Sequence, residues 1–297
     1  VRVIPGEIDD AGAITGDAIT FAGAGDVADC SLGDVRATAS LLDHLSGAVF
    51  TLGDNAYQNG TLSDFLDCYD PTWGRHRSRT HPVIGNHEYH VPHAGAYFAY
   101  FGSAAGKPLE GYYSFDLGSW HVVTLNSNCG TGALPSDIDI DKVTADFGGC
   151  AAGSPQERWL RADLAAHASS CTLALWHHPL FSSGPEGDYR VMRAFWQALD
   201  DYGADLVLVG HDHDYERFAP QHADGTRDDA AGIREIVVGT GGTSLTAFDD
   251  IVPNSLVRQS TTHGVLELTL HPESYEWKFL PVRGEPAFAD GGHAECH

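Results

Sequence analysis

Short apolar runs bounded by Gly, Asp or Pro recur along the chain at Ile19 to Ala22, Ala48 to Leu52, His81 to Ile84, Trp120 to Leu125, Thr172 to Trp176, Leu206 to Val209 and Ile236 to Val238. Runs of this length, rich in β-branched residues and closed by turn formers, predict buried strands. Helical spacing appears between them. Ser154-Pro155-Gln156-Glu157 reads as a capping box with Pro at the first helical position, ahead of Trp159, Leu160 and Leu164 on one face. Val191, Phe195 and Leu199 repeat every fourth residue and stop at Gly203, and Leu41, Leu42 and Leu45 do the same before Gly47. Strands alternating with helices predict an α/β fold. Toward the end of the chain, residues 264–270 and 274–280 alternate with period two around His271-Pro272-Glu273, which predicts a β-hairpin added to a sheet.

No repeat, low-complexity tract or linker divides the 297 residues, so a single domain is expected over 1–297, with 1–18 as an N-terminal extension. Residues 126–153 are polar and lack periodicity; a loop of that length reads as either functional or disordered, and a Cys129–Cys150 staple would favour an ordered wall or lid over the site.

Composition narrows the function classes. Hydrophobic residues at 42% and charged residues at 20% describe a soluble globular protein, and no apolar run is long enough to span a bilayer as a helix. Lys+Arg 17 against Asp+Glu 41 gives a net charge of -24, which repels nucleic acid and anionic membrane. A polynucleotide partner is not expected on that ground, and an anionic substrate needs local attraction, for which bound cations are the natural source. The chain opens at Val1 without a Met or a basic, apolar leader, as expected of a mature form whose signal peptide has been removed. Cys30, Cys68, Cys129, Cys150, Cys171 and Cys296 form no C-x-x-C pair, which favours disulfides and a secreted, periplasmic or extracellular setting over the competing reading of reduced, buried thiols. Six cysteines allow 15 pairings; the one favoured among them closes Cys129 to Cys150 around the long loop and leaves Cys30 with Cys68 and Cys171 with Cys296.

Five polar clusters are strung along the chain, most of them behind one of the apolar runs: Gly25-Asp26, Gly53-Asp54-Asn55-Ala56-Tyr57, Gly85-Asn86-His87-Glu88, Trp176-His177-His178-Pro179 and Gly210-His211-Asp212-His213. In open α/β sheets the carboxyl ends of the strands form the ligand crevice, so these clusters are expected to converge. They offer Asp, Tyr, Asn and His atoms, the donors that hold hard or borderline cations. Two cations need one shared carboxylate, and Asp54 is the expected bridge, with Tyr57 close behind it.

In this order the clusters resemble the calcineurin-like metallophosphoesterases, and Tyr57 points to their purple acid phosphatase branch; the resemblance spans Ile19 to about Arg217. Gly239-Thr240-Gly241-Gly242 is similar to a glycine turn in bacterial members, and Ala28 and Ala174 stand where the family usually has Gly and Val. The resemblance implies a four-layer α/β/β/α sandwich of two mixed sheets flanked by helices. It places Asp26, Asp54, Tyr57 and His213 on one metal ion and Asp54, Asn86, His177 and His211 on the other. A phenolate ligand implies Fe(III) at the first position, with Fe, Zn or Mn at the second. His87 is implied to be catalytic, beside the substrate and off the metals.

The implied function is hydrolysis of phosphomonoesters by in-line attack of a metal-bound hydroxide, with a small phosphorylated substrate and inorganic phosphate as product and inhibitor. A phosphodiesterase or nucleotide pyrophosphatase on the same site, and a non-catalytic metal- or phosphate-binding protein, are the alternatives. His178, Glu88, His90 and His93 are expected behind the ligands or along the substrate. The His178 ring is expected to point away from His177, as alternate residues of an extended chain do. Trp73, Tyr97, Phe98, Tyr100, Phe101, Tyr112 and Tyr113 are expected to be core rather than a stacking surface.

Overall fold

The computed structural model describes residues 18–130, 138–167, 169 and 171–297. The expected extension 1–18, apart from its last residue, and part of the segment 126–153 lie outside the described residues. The main elements are β1 (Ile19–Ala24), α1 (Asp34–Leu42), β2 (Ala48–Thr51), β3 (Thr80–His81), α2 (Gly95–Phe101), β4 (Tyr113–Leu117) and β5 (Trp120–Thr124). They continue as α3 (Ile140–Phe147), α4 (Pro155–Ala166), β6 (Cys171–Leu175), α5 (Arg193–Asp201), β7 (Leu206–Val209), β8 (Tyr215–Phe218) and β9 (Arg234–Val238). The last strands are β10 (Ser255–Gln259), β11 (Gly264–Leu270), β12 (Ser274–Pro281) and β13 (Gly291–Glu295).

Two mixed sheets result, one ordered β13-β12-β11-β1-β2-β3 and the other β10-β8-β9-β7-β6-β5-β4. Parallel pairs hold their centres: β1 with β2 and β3 beyond it, and β5, β6, β7 and β9 in the other sheet. The sheets face each other through aromatic contacts. Phe21 of β1 meets Phe115 of β4 at 6.3 Å, and Tyr215 of β8 meets Phe279 of β12 at 4.8 Å. Every residue of β6 and β7 is buried, as their unbroken apolar runs predict. Helices flank the sheets, giving the expected α/β/β/α layering. The terminal hairpin pairs β11 with β12 from Gly264 opposite Pro281 to Leu270 opposite Tyr275, and β11 joins the sheet beside β1.

Three local expectations change. Strand His81 to Ile84 shortens to Thr80–His81, because Pro82 has no N–H for the ladder and Val83 gives its own to the Thr51 hydroxyl at 3.3 Å. The 126–153 segment is not all loop: Asp139 caps α3 at Lys142, Val143 and Phe147 face the core one turn apart, and Gly148 ends it with φ 84°. At α4 the Ser154 hydroxyl accepts the Glu157 N–H at 3.2 Å, but the Glu157 carboxylate reaches back to the Gly153 N–H at 3.0 Å rather than to that of Ser154.

The disulfides are Cys30–Cys68, Cys129–Cys150 and Cys171–Cys296, as expected, and no cysteine is free. Trp73, Tyr97, Tyr100, Phe101 and Tyr112 are buried, and Phe98 packs against the same core. Among the described residues no helix is long and apolar enough to cross a membrane.

Candidate metal centre

The five clusters meet where the carboxyl ends of β1 and β2 in one sheet face those of β6 and β7 in the other. Backbone and side-chain bonds lock the loops together. Gly25 N–H reaches Val238 O at 2.8 Å, Gly210 N–H reaches His177 O at 3.0 Å, and His211 N–H reaches Asp26 Oδ2 at 2.9 Å. The glycines ahead of the polar residues are required by space. A Cβ on Gly53, which has φ +90°, would lie 2.4 Å from His177 Nδ1, and one on Gly85 would lie 2.2 Å from Asp54 Oδ1. Asp26, Asp54 and His211 themselves hold positive φ, at 59°, 47° and 73°. Backbone strain of this kind persists only where the surroundings over-determine it, and it concentrates at functional sites.

The side chains fall into two groups with one member in common. In the first, the Tyr57 hydroxyl lies 3.0 Å from Asp26 Oδ1, 3.1 Å from Asp54 Oδ2 and 3.3 Å from His213 Nε2. In the second, His177 Nε2 lies 2.8 Å from Asn86 Oδ1, 3.3 Å from His211 Nδ1 and 3.4 Å from Asp54 Oδ2. Asp54 Oδ2 belongs to both. The rings are aimed by their outward nitrogens: His177 Nδ1 bonds Leu52 O at 2.7 Å and His213 Nδ1 bonds Ser244 O at 3.0 Å, which turns each Nε2 inward.

The electrostatics describe donors held together by protons. Burial alone would raise the Asp54 carboxyl, but the charges of His177 and His87 outweigh it and hold it well below the usual carboxylate range. Burial, then the Asp26 and Asp54 charges, pushes the Tyr57 phenol well above its usual value. His177 is opposed by burial yet raised to about 9 by Asp54, whereas His211 is driven well down by burial and by the neighbouring imidazoles of His178 and His177. Among the described partners of Asp26, Asp54 and Tyr57 there is no Lys or Arg. The donor set fits cations well: oxygen and nitrogen atoms 2.8–3.5 Å apart have the spacing of ligands at bonding distances of about 2.0–2.2 Å around one ion.

The other candidates occupy distinct places. His87 Nδ1 meets Gln58 O at 2.5 Å, which turns Nε2 toward the cluster, 3.7 Å from Asp54 Oδ2, with a quarter of the side chain exposed. Glu88 is fully buried, and its carboxylate accepts the N–H groups of Gly85 at 2.7 Å, Asn55 at 2.7 Å and Asp54 at 3.2 Å. Burial and the Asp54 charge raise it to about 7. The His178 ring does not point away from His177. The two rings lie 4.9 Å apart, because β6 ends at Leu175 and the chain bends at both histidines; His178 Nδ1 meets the Ser127 hydroxyl at 2.7 Å. His90 and His93 stand outside the donor cluster. They line a groove of about 270 Å³ with Tyr89, Ile138 and Lys142, where His93 pairs with Asp146 at 2.7 Å.

Sequence reasoning missed Ser127, whose hydroxyl also accepts the His177 N–H at 3.3 Å and the His178 N–H at 3.1 Å. The signal was there: Asn126-Ser127-Asn128 follows the apolar run ending at Leu125 just as the five clusters follow theirs.

A family model described as calcineurin-like phosphoesterase matches residues 16–215. Purple acid phosphatase 15 of Arabidopsis thaliana is 28% identical over 256 residues, 71% of this chain and 44% of that protein. Purple acid phosphatase 18 of the same plant is 29% identical over 249 residues, 75% of this chain and 50% of that protein. The chain thus spans about half the length of the curated relatives it matches. The purple acid phosphatase PPD1 of yellow lupin seeds superposes with a TM-score of 0.70 over 94% of this chain and 54% of its own, at 18% identity, a likeness of fold.

Proposed function

The chain belongs to the calcineurin-like phosphoesterase family, and from that premise we propose that it is a metal-dependent hydrolase of phosphomonoesters, working in an oxidising compartment as a single catalytic domain. The observation that carries the reading is the double membership of Asp54 Oδ2 in two donor groups, which suits a carboxylate shared by two cations. Asp26, Asp54, Tyr57 and His213 would hold one ion; Asp54, Asn86, His177 and His211 would hold the other. A phenol kept protonated by burial and two carboxylates yields its proton only to a strongly acidic cation, which favours Fe(III) in the first place. The nitrogen-richer second place suits Fe, Zn or Mn. When bound, the pair supplies positive charge that neutralises phosphoryl oxygens and acidifies water.

The protein's own groups do the rest. His87 gives Nδ1–H to the Gln58 carbonyl, so its Nε2 faces the cluster and, in the imidazolium form, would give its second proton to the leaving oxygen. Glu88 holds the loops of Asp54 and Gly85 in one register, and Ser127 does the same for His177 and His178. A chain of net charge -24 attracts a phosphate only where cations stand, which confines binding of substrate and of product phosphate to this crevice and disfavours nucleic acid.

Turnover of an aryl monophosphate and a bis-aryl phosphate, measured on chelator-stripped and on iron- and zinc-reconstituted protein, tests this. Faster monoester turnover that depends on metal is expected. Faster diester turnover would replace the monoesterase reading by a diesterase one, and no turnover by reconstituted protein would remove both.

A further inference from the structure

The groove of about 270 Å³ beside His90 adjoins the crevice on its His87 side. Two contacts join it to the loops of the donor cluster. The His87 and His90 rings meet edge to face with centroids 5.5 Å apart, so the imidazole that lines the groove stands next to the one that faces the donors. Beneath the groove, the buried Tyr89 hydroxyl accepts Asn126 Nδ2 at 2.7 Å, and Asn126 opens the loop whose Ser127 holds His177.

The walls are braced. One consists of the single turns His87–His90 and Pro92–Ala94; the other is α3 with Ile138 just ahead of it. His93 and Ala94 hold consecutive positive φ values, 59° and 49°, without being glycine. Strain of this kind persists where the surroundings over-determine it. Here the contact of 2.7 Å from His93 Nδ1 to Asp146 Oδ2 ties the strained turn across to α3, and the Cys129–Cys150 bridge brackets the segment that carries α3. The apolar lining comes from Pro92, Ile138, Val143 and the Tyr89 ring. The charges of the groove are matched within it, His93 with Asp146 and Lys142 Nζ with Asp139 Oδ2 at 3.0 Å.

We propose that this groove receives the alcohol part of a phosphomonoester and selects uncharged alcohols carrying one ring or a short apolar chain, an inference that rests on the monoesterase reading above. A proton given by His87 goes to the leaving oxygen, so the alcohol departs on the His87 side of the phosphorus, where His90 and the groove are its neighbours. The apolar lining favours a ring. An alcohol with a second anionic group meets no unpaired cation among the described residues of the groove, and the net charge of -24 repels it. The volume sets the size, since it falls short of the roughly 300 Å³ at which pockets begin to enclose drug-sized ligands. Binding energy gained on the ring serves to hold the phosphoryl group in place, which makes Ile138 and Val143 determinants of specificity rather than of the chemistry.

Three esters with leaving alcohols of similar acidity test this: methyl phosphate, benzyl phosphate and 4-carboxybenzyl phosphate. Each is assayed with metal-loaded wild type and with Ile138→Trp, whose larger ring fills the groove. Wild type is expected to show a lower KM for benzyl than for methyl phosphate, and a higher KM for the carboxylated ester than for benzyl phosphate. Ile138→Trp is expected to raise the KM for benzyl phosphate by about 10-fold, the low end for a misfit in a hydrophobic pocket, and to leave methyl phosphate unchanged. Equal effects on methyl and benzyl phosphate, or none on either, would overturn the groove as the alcohol site while the monoesterase reading stands. A wild-type KM for the carboxylated ester at or below that for benzyl phosphate would overturn the selection against charge. No turnover of any of the three would remove the monoesterase reading and the subsite with it. Should Ile138→Trp fail to fold, Lys142→Trp, at an exposed position of α3 on the groove, takes its place with the same expected pattern.

Discussion

The Tyr57 hydroxyl lies 3.0 Å from Asp26 Oδ1, although 31 positions separate the two residues and they arrive on different loops. A buried phenol beside a carboxylate is a hydrogen-bond donor until a cation takes the place of its proton. Tyr57→Phe keeps the shape and removes only that oxygen. It is expected to abolish a visible phenolate-to-iron band and to release iron on dialysis, both read from the absorption spectrum and metal analysis. A colourless, iron-free wild type that still hydrolyses phosphate esters would refute the ferric assignment.

Like His177 and His213, His87 is held from outside by a carbonyl, at Gln58, but its other nitrogen stays 3.7 Å from Asp54 Oδ2, beyond hydrogen-bond reach. His87→Asn is therefore expected to leave metal content unchanged and to lower kcat by about 100- to 10,000-fold, the usual worth of a general acid. The loss should be larger for an alkyl than for a nitrophenyl monophosphate, because a poor leaving group depends more on the proton. Equal losses on both would assign His87 to phosphate binding instead.

Much of this site was legible because strand ends concentrate ligands: an apolar run followed by Gly and a polar pair marks each loop, and the order of the loops is sufficient to bring them together. What escaped was set by local chain direction. The alternation rule puts His178 opposite His177 only while the chain stays extended, and the bend after Leu175 brings both rings to one side. Strand β3 ends at a missing N–H, at Pro82, which its hydrophobicity hides. Helix α3 shows only Val143 and Phe147 to the core, too short a stripe to stand out of a polar segment.

Glu88 gathers three backbone N–H groups from two loops around one buried carboxylate. Glu88→Gln sets an amide NH2 against those donors, so the loops carrying Asp54 and Asn86 should separate. Metal affinity is expected to fall by about 10- to 100-fold, the range for residues that orient ligands, with a lower unfolding temperature. Titration of stripped protein with zinc checks this; unchanged affinity would make Glu88 a folding residue only.

Cys171–Cys296 closes a span of 125 residues and fastens the end of the chain to the start of β6, whereas Cys129–Cys150 closes only 21. By loop-closure entropy, removing the first by the double Ser substitution should cost about 4–5 kcal/mol and removing the second about 3 kcal/mol. Urea unfolding of the two double variants measures the order. If the shorter loop proves the costlier, packing of the 126–153 segment outweighs chain entropy.

Asp290 fixes the start of the last strand to both sheets. Its carboxylate accepts Arg217 Nε at 2.7 Å and Nη2 at 2.9 Å, the Tyr215 hydroxyl at 2.7 Å and Trp277 Nε1 at 3.2 Å. Burial would raise its pKa, but the hydrogen bonds from Arg217 and Tyr215 and the Arg217 charge lower it on balance. A carboxyl depressed in the folded state stabilises above its unfolded pKa of about 3.9 and loses that contribution as pH falls through the folded value. Asp290→Asn should then cost about 2 kcal/mol at neutral pH, the scale of a charge-assisted, nearly buried pair, and the gap to wild type should close in acid. The exposed pair of Arg227 and Asp229 supplies the control, since removing it is expected to change stability by less than about 1 kcal/mol at either pH. A gap for Asp290→Asn that persists undiminished below the unfolded pKa would mean that shape and neutral hydrogen bonds, rather than the charge, hold β13 in place.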